Sequence, residues 1–366
     1  MTTVTLDEMR DKLLSLDTVR ETLATTEPIS ELPLTVGMTN FTLESGWNHS
    51  IDTLKESDAV NATVSVGSRE YRLSKDALFQ ATSAVGLPAA YVKKTPANLI
   101  ESNLNYWYGK GYGLTDKQQL KLLITKDVGS AVARSTVRPF SNLRLMEETL
   151  TGIEKKFGNG EVLVDSKFHH SLARTHFRLI VPEHTFQIQD TGTDNDVWSM
   201  GLNIQNSLIG KDQTSLEGYL FRWWCTNGAI DTTAASGVWN RRSEGQNEDE
   251  VYEWARTVVE DVLGGLESSF DTLQTMARTP IAGDVNQILR ETFANYSLPA
   301  RSRQAVISNL VEDDQLTAYS LMNAVTSVAN ATDMDPREQA RLMTVGGDLV
   351  HMSSDRCDSC HRLMAS

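Results

Sequence analysis

The chain has 366 residues, 40% of them hydrophobic and 22% charged, so it can bury a large core and exceeds the usual size of one domain. A net charge of -14 excludes a generic polyanion binder, and three cysteines exclude a disulfide framework. No apolar run approaches the ~18–20 residues of a membrane span, and MTTVTLDEMRDKLL lacks a signal peptide's basic start and apolar run, so a cytosolic protein is expected.

Taken in chain order, the periodicity predicts a short acidic helix over 5–25, with Leu6, Met9, Leu13, Leu14, Leu16 and Val19 as its apolar stripe. Residues 34–60 are polar and turn-rich, so 1–60 reads as a helix and an irregular arm. A hairpin follows, 62–66 against 70–73 across Gly67-Ser68. Ser74 caps a helix ending near Gly86, and Thr95-Pro96 opens one reaching Tyr108. Leu120–Thr125 pairs with 131–137. Ser141 caps an amphipathic helix to Phe157, closed by Gly158. Strands are predicted at 162–165, 173–181 and 185–189, with two more inside 197–230. Residues 241–250 form a polar linker. The stripe Val251, Trp254, Ala255, Val258, Val259, Val262 and Leu263 then starts a helical tail, with shorter helices at 283–295, 300–311, 315–330 and 336–344. The order predicts an α+β fold: an antiparallel sheet with packed helices over 61–240, followed by an all-α C-terminal region over 251–366.

Charge is uneven. Residues 61–140 hold 11 Lys/Arg against 5 Asp/Glu, interleaved with tyrosines and Trp107. Single-stranded nucleic acid is held by cations along its backbone and by bases stacked on aromatic rings. Arg69, Arg72, Lys93 and Lys94 are therefore candidate phosphate contacts, with Trp107 or Tyr112 as the stacking ring. The alternative is a solvated helix face, because Tyr106, Trp107 and Tyr108 cannot share one side of a helix. Arg134 and Arg138 precede a helix start, where free N–H groups can meet a phosphate; ion pairing with a nearby carboxylate is the other reading.

A polar cluster lies on a strand. Asn203, Gln205 and Ser207 share one face, and Asn206 points the other way. With Arg222 and Asn227 these amides form a candidate pocket for a ligand or base edge, or else they satisfy neighbouring backbone. Trp223 and Trp224 read as core. His169, His170, His176 and His184 lack a metal-ligand spacing. Cys357, Cys360 and His361 at the C-terminus have plausible zinc-ligand spacing, against a bland tail. No GxSxG, Walker A or dinucleotide-binding glycine pattern is present, which argues against an enzyme.

Three pieces together carry a resemblance: Ser135-Thr-Val-Arg-Pro-Phe-Ser-Asn142; Gly201-Leu-Asn-Ile-Gln-Asn-Ser207 with Gly210; and Tyr219-Leu-Phe-Arg222 followed by Cys225-Thr-Asn-Gly228. They span roughly residues 120–230. This region resembles a family of phage/plasmid-like proteins of unknown function, domain of unknown function nine-three-two. The resemblance implies a phage or mobile-element origin, a place in the host cytoplasm and a role in replication or recombination; it implies no catalytic residue. Strand-helix order and the basic-aromatic window add an analogy to single-strand annealing recombinases. The expected function is a DNA-metabolism protein that binds single-stranded nucleic acid, possible as a homo-oligomer. The alternatives are a module binding a host or phage protein and an enzyme using the Asn203 face.

Overall fold

Ser15 caps helix α1 (Leu16–Thr26), its hydroxyl accepting the Thr18 N–H at 3.2 Å. The structure, a computed structural model, describes residues 10–48, 51–110, 119–191, 196–210, 213–223, 227–239, 248–281, 284–295, 297–311, 316–330, 334 and 336–351. The predicted helix over 5–25 is interrupted, because Leu14 forms a β-bridge with Val164 just before the cap.

The predicted irregular arm is also corrected, since it contributes β1 (Ser30–Leu34) and β2 (Thr39–Leu43) to a six-stranded sheet. The other strands are β3 (Ala59–Val66), β4 (Arg69–Ser74), β5 (Leu120–Thr125) and β6 (Val128–Arg134), in the order β1-β5-β6-β4-β3-β2. Lys126 and Asp127 both take positive φ, at 47° and 65°, which matches the twist a two-residue hairpin needs. Helices α2 (Lys75–Ala84), α3 (Ala89–Lys94) and α4 (Ala97–Gly109) close one core, where Phe41, Val64, Leu73 and Leu122 meet Leu78, Ile100, Leu104 and Tyr108.

This sheet curls. Only residues 35–38 join Leu34 on one edge strand to Thr39 on the other. Five chain steps reach at most ~18 Å, whereas six flat strands would separate their edges by ~24 Å. The free edge of β2 is covered by α4. Asn105 Oδ1 accepts the Phe41 N–H at 2.6 Å, Asn105 Nδ2 donates to the Phe41 carbonyl at 2.8 Å, and Glu101 accepts the Leu43 N–H at 2.9 Å.

After α5 (Asn142–Phe157) comes a second sheet: β7 (Leu163–Val164), β8 (His169–His170), β9 (Thr175–Ile188), β10 (Asp196–Asn206), β11 (Thr214–Arg222) and β12 (Asn227–Trp239). Its order is β12-β11-β10-β9-β7, with β8 on β9, so the two polar strands are central. The two predicted strands over 173–189 are one strand, β9, which passes a register shift opposite Ser199 and Gly201.

The helical tail comprises α6 (Glu248–Arg278), α7 (Val285–Asn295), α8 (Ala300–Val311), α9 (Ala318–Ala329) and α10 (Pro336–His351). It is not a packing unit of its own. Val259, Leu266, Phe270, Val325 and Leu342 share one core with Leu179, Leu202 and Leu216 of the sheet. Val19 and Leu23 of α1 belong to that core too. The first sheet and α2–α4 therefore form an insertion between α1 and α5. The two units meet through a small apolar cluster of Leu123, Ala131 and Ala133 against Leu172, Leu208 and Ile209. Among the described residues, no helix is long and apolar enough to cross a membrane.

Candidate nucleic-acid interface and polar strand cluster

The three consecutive aromatics of α4 face three ways. Tyr108 is buried and donates to the Ala81 carbonyl at 3.2 Å; burial pushes its phenol pKa up. Tyr106 is 56% exposed. Trp107, the predicted stacking ring, is half-buried and meets Tyr106 edge-on at 4.9 Å. The available ring is thus Tyr106, which sequence reasoning did not select, although its spacing of seven from exposed Leu99 places both on one helix face. Tyr112 lies outside the described residues.

Lys93, a predicted phosphate contact, is half-buried, and its ammonium pairs with Asp52; that hydrogen bond holds the Asp52 carboxyl below its usual range. Arg69, Arg72, Lys94, Lys110 and Arg134 are exposed and have no ion-pair partner among the described residues. Topology then decides which cations meet. The Gly67 N–H donates to the Met38 carbonyl at 2.9 Å, which puts the turn before Arg69 beside the 35–38 connection. Asn105 sits at Phe41, so the last turn of α4, with Tyr106 and Lys110, lies toward Thr39. Arg134 pairs with Leu120, which pairs with Leu34, where the connection begins. Arg69, Lys110 and Tyr106 thus lie on the side of exposed Val36 and Met38 that adjoins Thr39. Arg134 lies on the far side: β4 runs parallel to β6 with Arg72 opposite Val128, which sets Arg134 about nine residues, ~30 Å, along the strands from Arg69. Lys94 and Tyr91 lie at the other end of α4, about 20 Å away. Arg72 stands apart, opposite Thr63 on the open sheet face.

The helix start after Arg138 is not a phosphate site. Glu27 occupies it: its carboxylate accepts the Leu143 N–H at 2.8 Å and the Ser141 hydroxyl at 2.7 Å. The Ser141 N–H donates to the Tyr252 hydroxyl at 2.8 Å, and Ser141 Oγ accepts from the Arg144 N–H at 3.1 Å. Exposed Arg138 has a partner within the chain.

The residues of the predicted pocket separate into distinct environments. Asn203 and Gln205 share the face of Glu217, whose Oε2 accepts from Asn203 Nδ2 at 2.7 Å and from Gln205 Nε2 at 3.5 Å. Asn203 stands directly opposite Arg178 on β9 and Glu217 on β11. Arg178 Nη1 reaches Asp165 at 3.3 Å, and the same Asp165 oxygen accepts the Tyr219 hydroxyl at 2.9 Å. Asn206, on the opposite face, is satisfied structure: it donates to the Phe140 carbonyl and Asn142, and its Oδ1 accepts from Thr214. Arg222 is also spoken for, holding Asp196 at 2.7 and 2.6 Å beside Trp198 and Tyr319. The side chain of Asn227 lies outside the described residues; its backbone pairs with Arg222. Trp223 is core, its indole N–H donating to Ser199 at 2.7 Å. Gly228, the last residue of the Cys-Thr-Asn-Gly ending, is where a Cβ would overlap the Tyr219 ring.

Burial pushes the Glu217 carboxyl up; Asn203 and Arg178 oppose this, and Asp348 adds to it. A carboxyl whose folded pKa is raised contributes stability that is lost as pH rises through that value. Glu217→Gln keeps an acceptor for Asn203 and removes the loss. We expect its urea midpoint to match wild type below the ordinary pKa of 4.5 and to exceed it progressively toward neutral pH. A wild-type midpoint as high as the variant's at pH 7 would contradict this.

Cys357, Cys360 and His361 lie outside the described residues. Among the described residues, no three or more His, Cys, Asp or Glu side chains group to hold a metal ion. His170 instead bonds Thr175 at 2.8 Å, and His184 packs on Phe157. Comparison with protein-family models, curated proteins and solved structures finds no match to the chain.

Proposed function

We propose that the chain binds single-stranded nucleic acid through the outer face of α4 and the surface around residues 35–38, as a recombination or annealing accessory of a phage or other mobile element. The observation that carries this is exposed Tyr106 on the side of the 35–38 connection that also holds Lys110 and Arg69, cations without an ion-pair partner among the described residues. A ring supplies stacking that any base can use, and the cations follow the backbone. The acidic remainder of the chain repels polyanions elsewhere and confines binding to this surface.

Fluorescence anisotropy with labelled oligo-dT across a salt series tests it. Wild type is expected to bind at low salt. Tyr106→Ala should weaken binding about tenfold, since a stacked base contributes ~1–3 kcal/mol. Arg69→Ala with Lys110→Ala should flatten the salt slope by about 1.4, at ~0.7 for each of two phosphate contacts. No binding at low salt, or binding indifferent to all three changes, refutes the proposal. A host or phage protein is the second reading, favoured by exposed Leu99 and Met38, which stacking on Tyr106 does not require. Pull-down with wild type and Leu99→Ala separates the two.

A further inference from the structure

Across the centre of the second sheet, Arg178, Asn203 and Glu217 stand side by side on β9, β10 and β11, in direct register and on one face. Each is fixed by a neighbour and keeps a polar atom to offer. Arg178 is held by Asp165, yet its Nε–H has no hydrogen-bond partner, although the side chain is 3% exposed. Asn203, with no exposure, donates through Nδ2 to Glu217 and leaves Oδ1 without a partner. Glu217 accepts through Oε2, the one oxygen of that carboxylate engaged by Asn203 and Gln205. Buried atoms of this kind cost ~1–3 kcal/mol each when nothing meets them, which is why native interiors seldom leave them so. Half-buried Gln205 and Glu217 mark the side from which a ligand would arrive.

The offered pattern, read from β9 to β11, is donor, acceptor, acceptor. Its complement is acceptor, donor, donor along one edge of a flat molecule. Of the common bases, guanine alone presents that order on its pairing edge, as O6, N1–H and the N2 amino group. Adenine and cytosine each begin with an exocyclic amino donor, and uracil and thymine end in a second acceptor.

We propose that this row is a guanine-binding site, with Arg178 donating to O6, Asn203 Oδ1 accepting from N1–H and the Glu217 carboxylate accepting from the N2 amino group. Tyr219 and Asp165 act as positioning residues that aim the Arg178 side chain. The site lies on a different unit from the α4 surface and stands or falls independently of it. The base can come from a free nucleotide or from an unpaired position of a single strand; the recognising chemistry is the same.

Titration calorimetry of the full chain with guanosine monophosphate, inosine monophosphate and adenosine monophosphate tests the pattern without altering the fold. The guanine nucleotide should bind. Inosine, lacking only the N2 amino group, should bind at least about tenfold more weakly, and adenosine weaker still. Glu217→Gln, which replaces one acceptor oxygen by an amide donor, should abolish the preference of guanosine over inosine, with circular dichroism checking that it folds. An oligo-dT strand carrying one central dG, compared with plain oligo-dT, identifies the source: tighter binding of the dG strand that Glu217→Gln removes points to a strand, and binding of the mononucleotide alone points to a free nucleotide. No guanosine monophosphate binding at millimolar concentration together with no dG preference, or equal binding of guanosine and inosine, overturns the site. Oligo-dT binding through Tyr106 would survive that result, so the two proposals fail separately.

Discussion

Arg222→Ala is expected to destabilise the chain by about 3–5 kcal/mol, the cost of leaving a buried charge without its partner. Asp196 has no solvent exposure, and both guanidinium contacts to it, at 2.7 and 2.6 Å, come from Arg222. The Tyr319 hydroxyl donates to the same carboxylate at 2.5 Å and accepts the Trp198 indole N–H at 2.9 Å. Burial raises the Tyr319 phenol well above its ordinary pKa, so it remains a donor through the physiological range. This network ties β10 and β11 to α9, and losing it weakens sheet and tail together. A typical domain has only ~5–15 kcal/mol of stability, so a large part of the total is at stake. Urea denaturation followed by tryptophan fluorescence reads the effect. The double change Asp196→Leu with Arg222→Met should recover most of the loss, because an apolar pair leaves no charge to strand. A loss below about 1 kcal/mol for Arg222→Ala would mean that water reaches Asp196.

Gly347→Ala is the second large effect. A Cβ at this position would overlap the Ile230 carbonyl of β12, and backbone cannot move aside as a side-chain tip can. The neighbouring Gly346 is similarly confined by Thr326 of α9. The glycine pair lets α10 approach the strand closely, so alanine should lift the helix off at a cost of about 1–3 kcal/mol or more. Limited proteolysis should then cleave within 316–351 faster than in wild type, with a lowered thermal midpoint. An unchanged cleavage pattern and midpoint would show that α10 is not seated as described.

Much of the fold was legible in local signals. Ser141 and Gly158 bracket α5 because a cap hydroxyl and a glycine at φ +81° act within a few residues of themselves. The amides of β10 marked a central strand for a similar reason, since alternation reads directly as face. Other elements hid. β1 contains Pro33, which an edge strand tolerates but a pattern reading penalises. Asn227-Gly228 spells a turn, yet it opens β12, and its glycine answers to the Tyr219 ring rather than to a bend. The tail read as separate because residues 241–250 are polar, whereas its apolar stripe is the other half of the sheet's core.

The candidate sites divide along the same line. The charge of residues 61–140 is visible in composition, but which cations meet depends on the curl that brings Leu34 toward Thr39. The buried row was half visible. Asn203 announced itself by polarity, while Glu217 and Arg178 sit in apolar runs, and their common face exists only through strand pairing. Asp165 and Tyr219 complete it from 54 residues apart. The helix start after Arg138 shows the reverse case: its anion is Glu27, 114 residues before Ser141, and nothing local reveals it.

That Glu27 contact also bears on how the chain reaches its native state. The second unit must bring α1 to α5, and closing a flexible loop of that length costs about 3 kcal/mol more than closing one of a few residues. Pairing of β1 with β5 puts the Ile29 N–H at the Ile124 carbonyl, 2.9 Å away, so once that pair exists the segment still to be closed runs from 124 to 141 rather than from 27 to 141. A first unit that forms early would therefore remove much of this difference. The curled sheet acts as the clasp that presents α1 to its partner helix, and a lesion in the first unit should delay formation of the second unit's core even where no contact between them is touched.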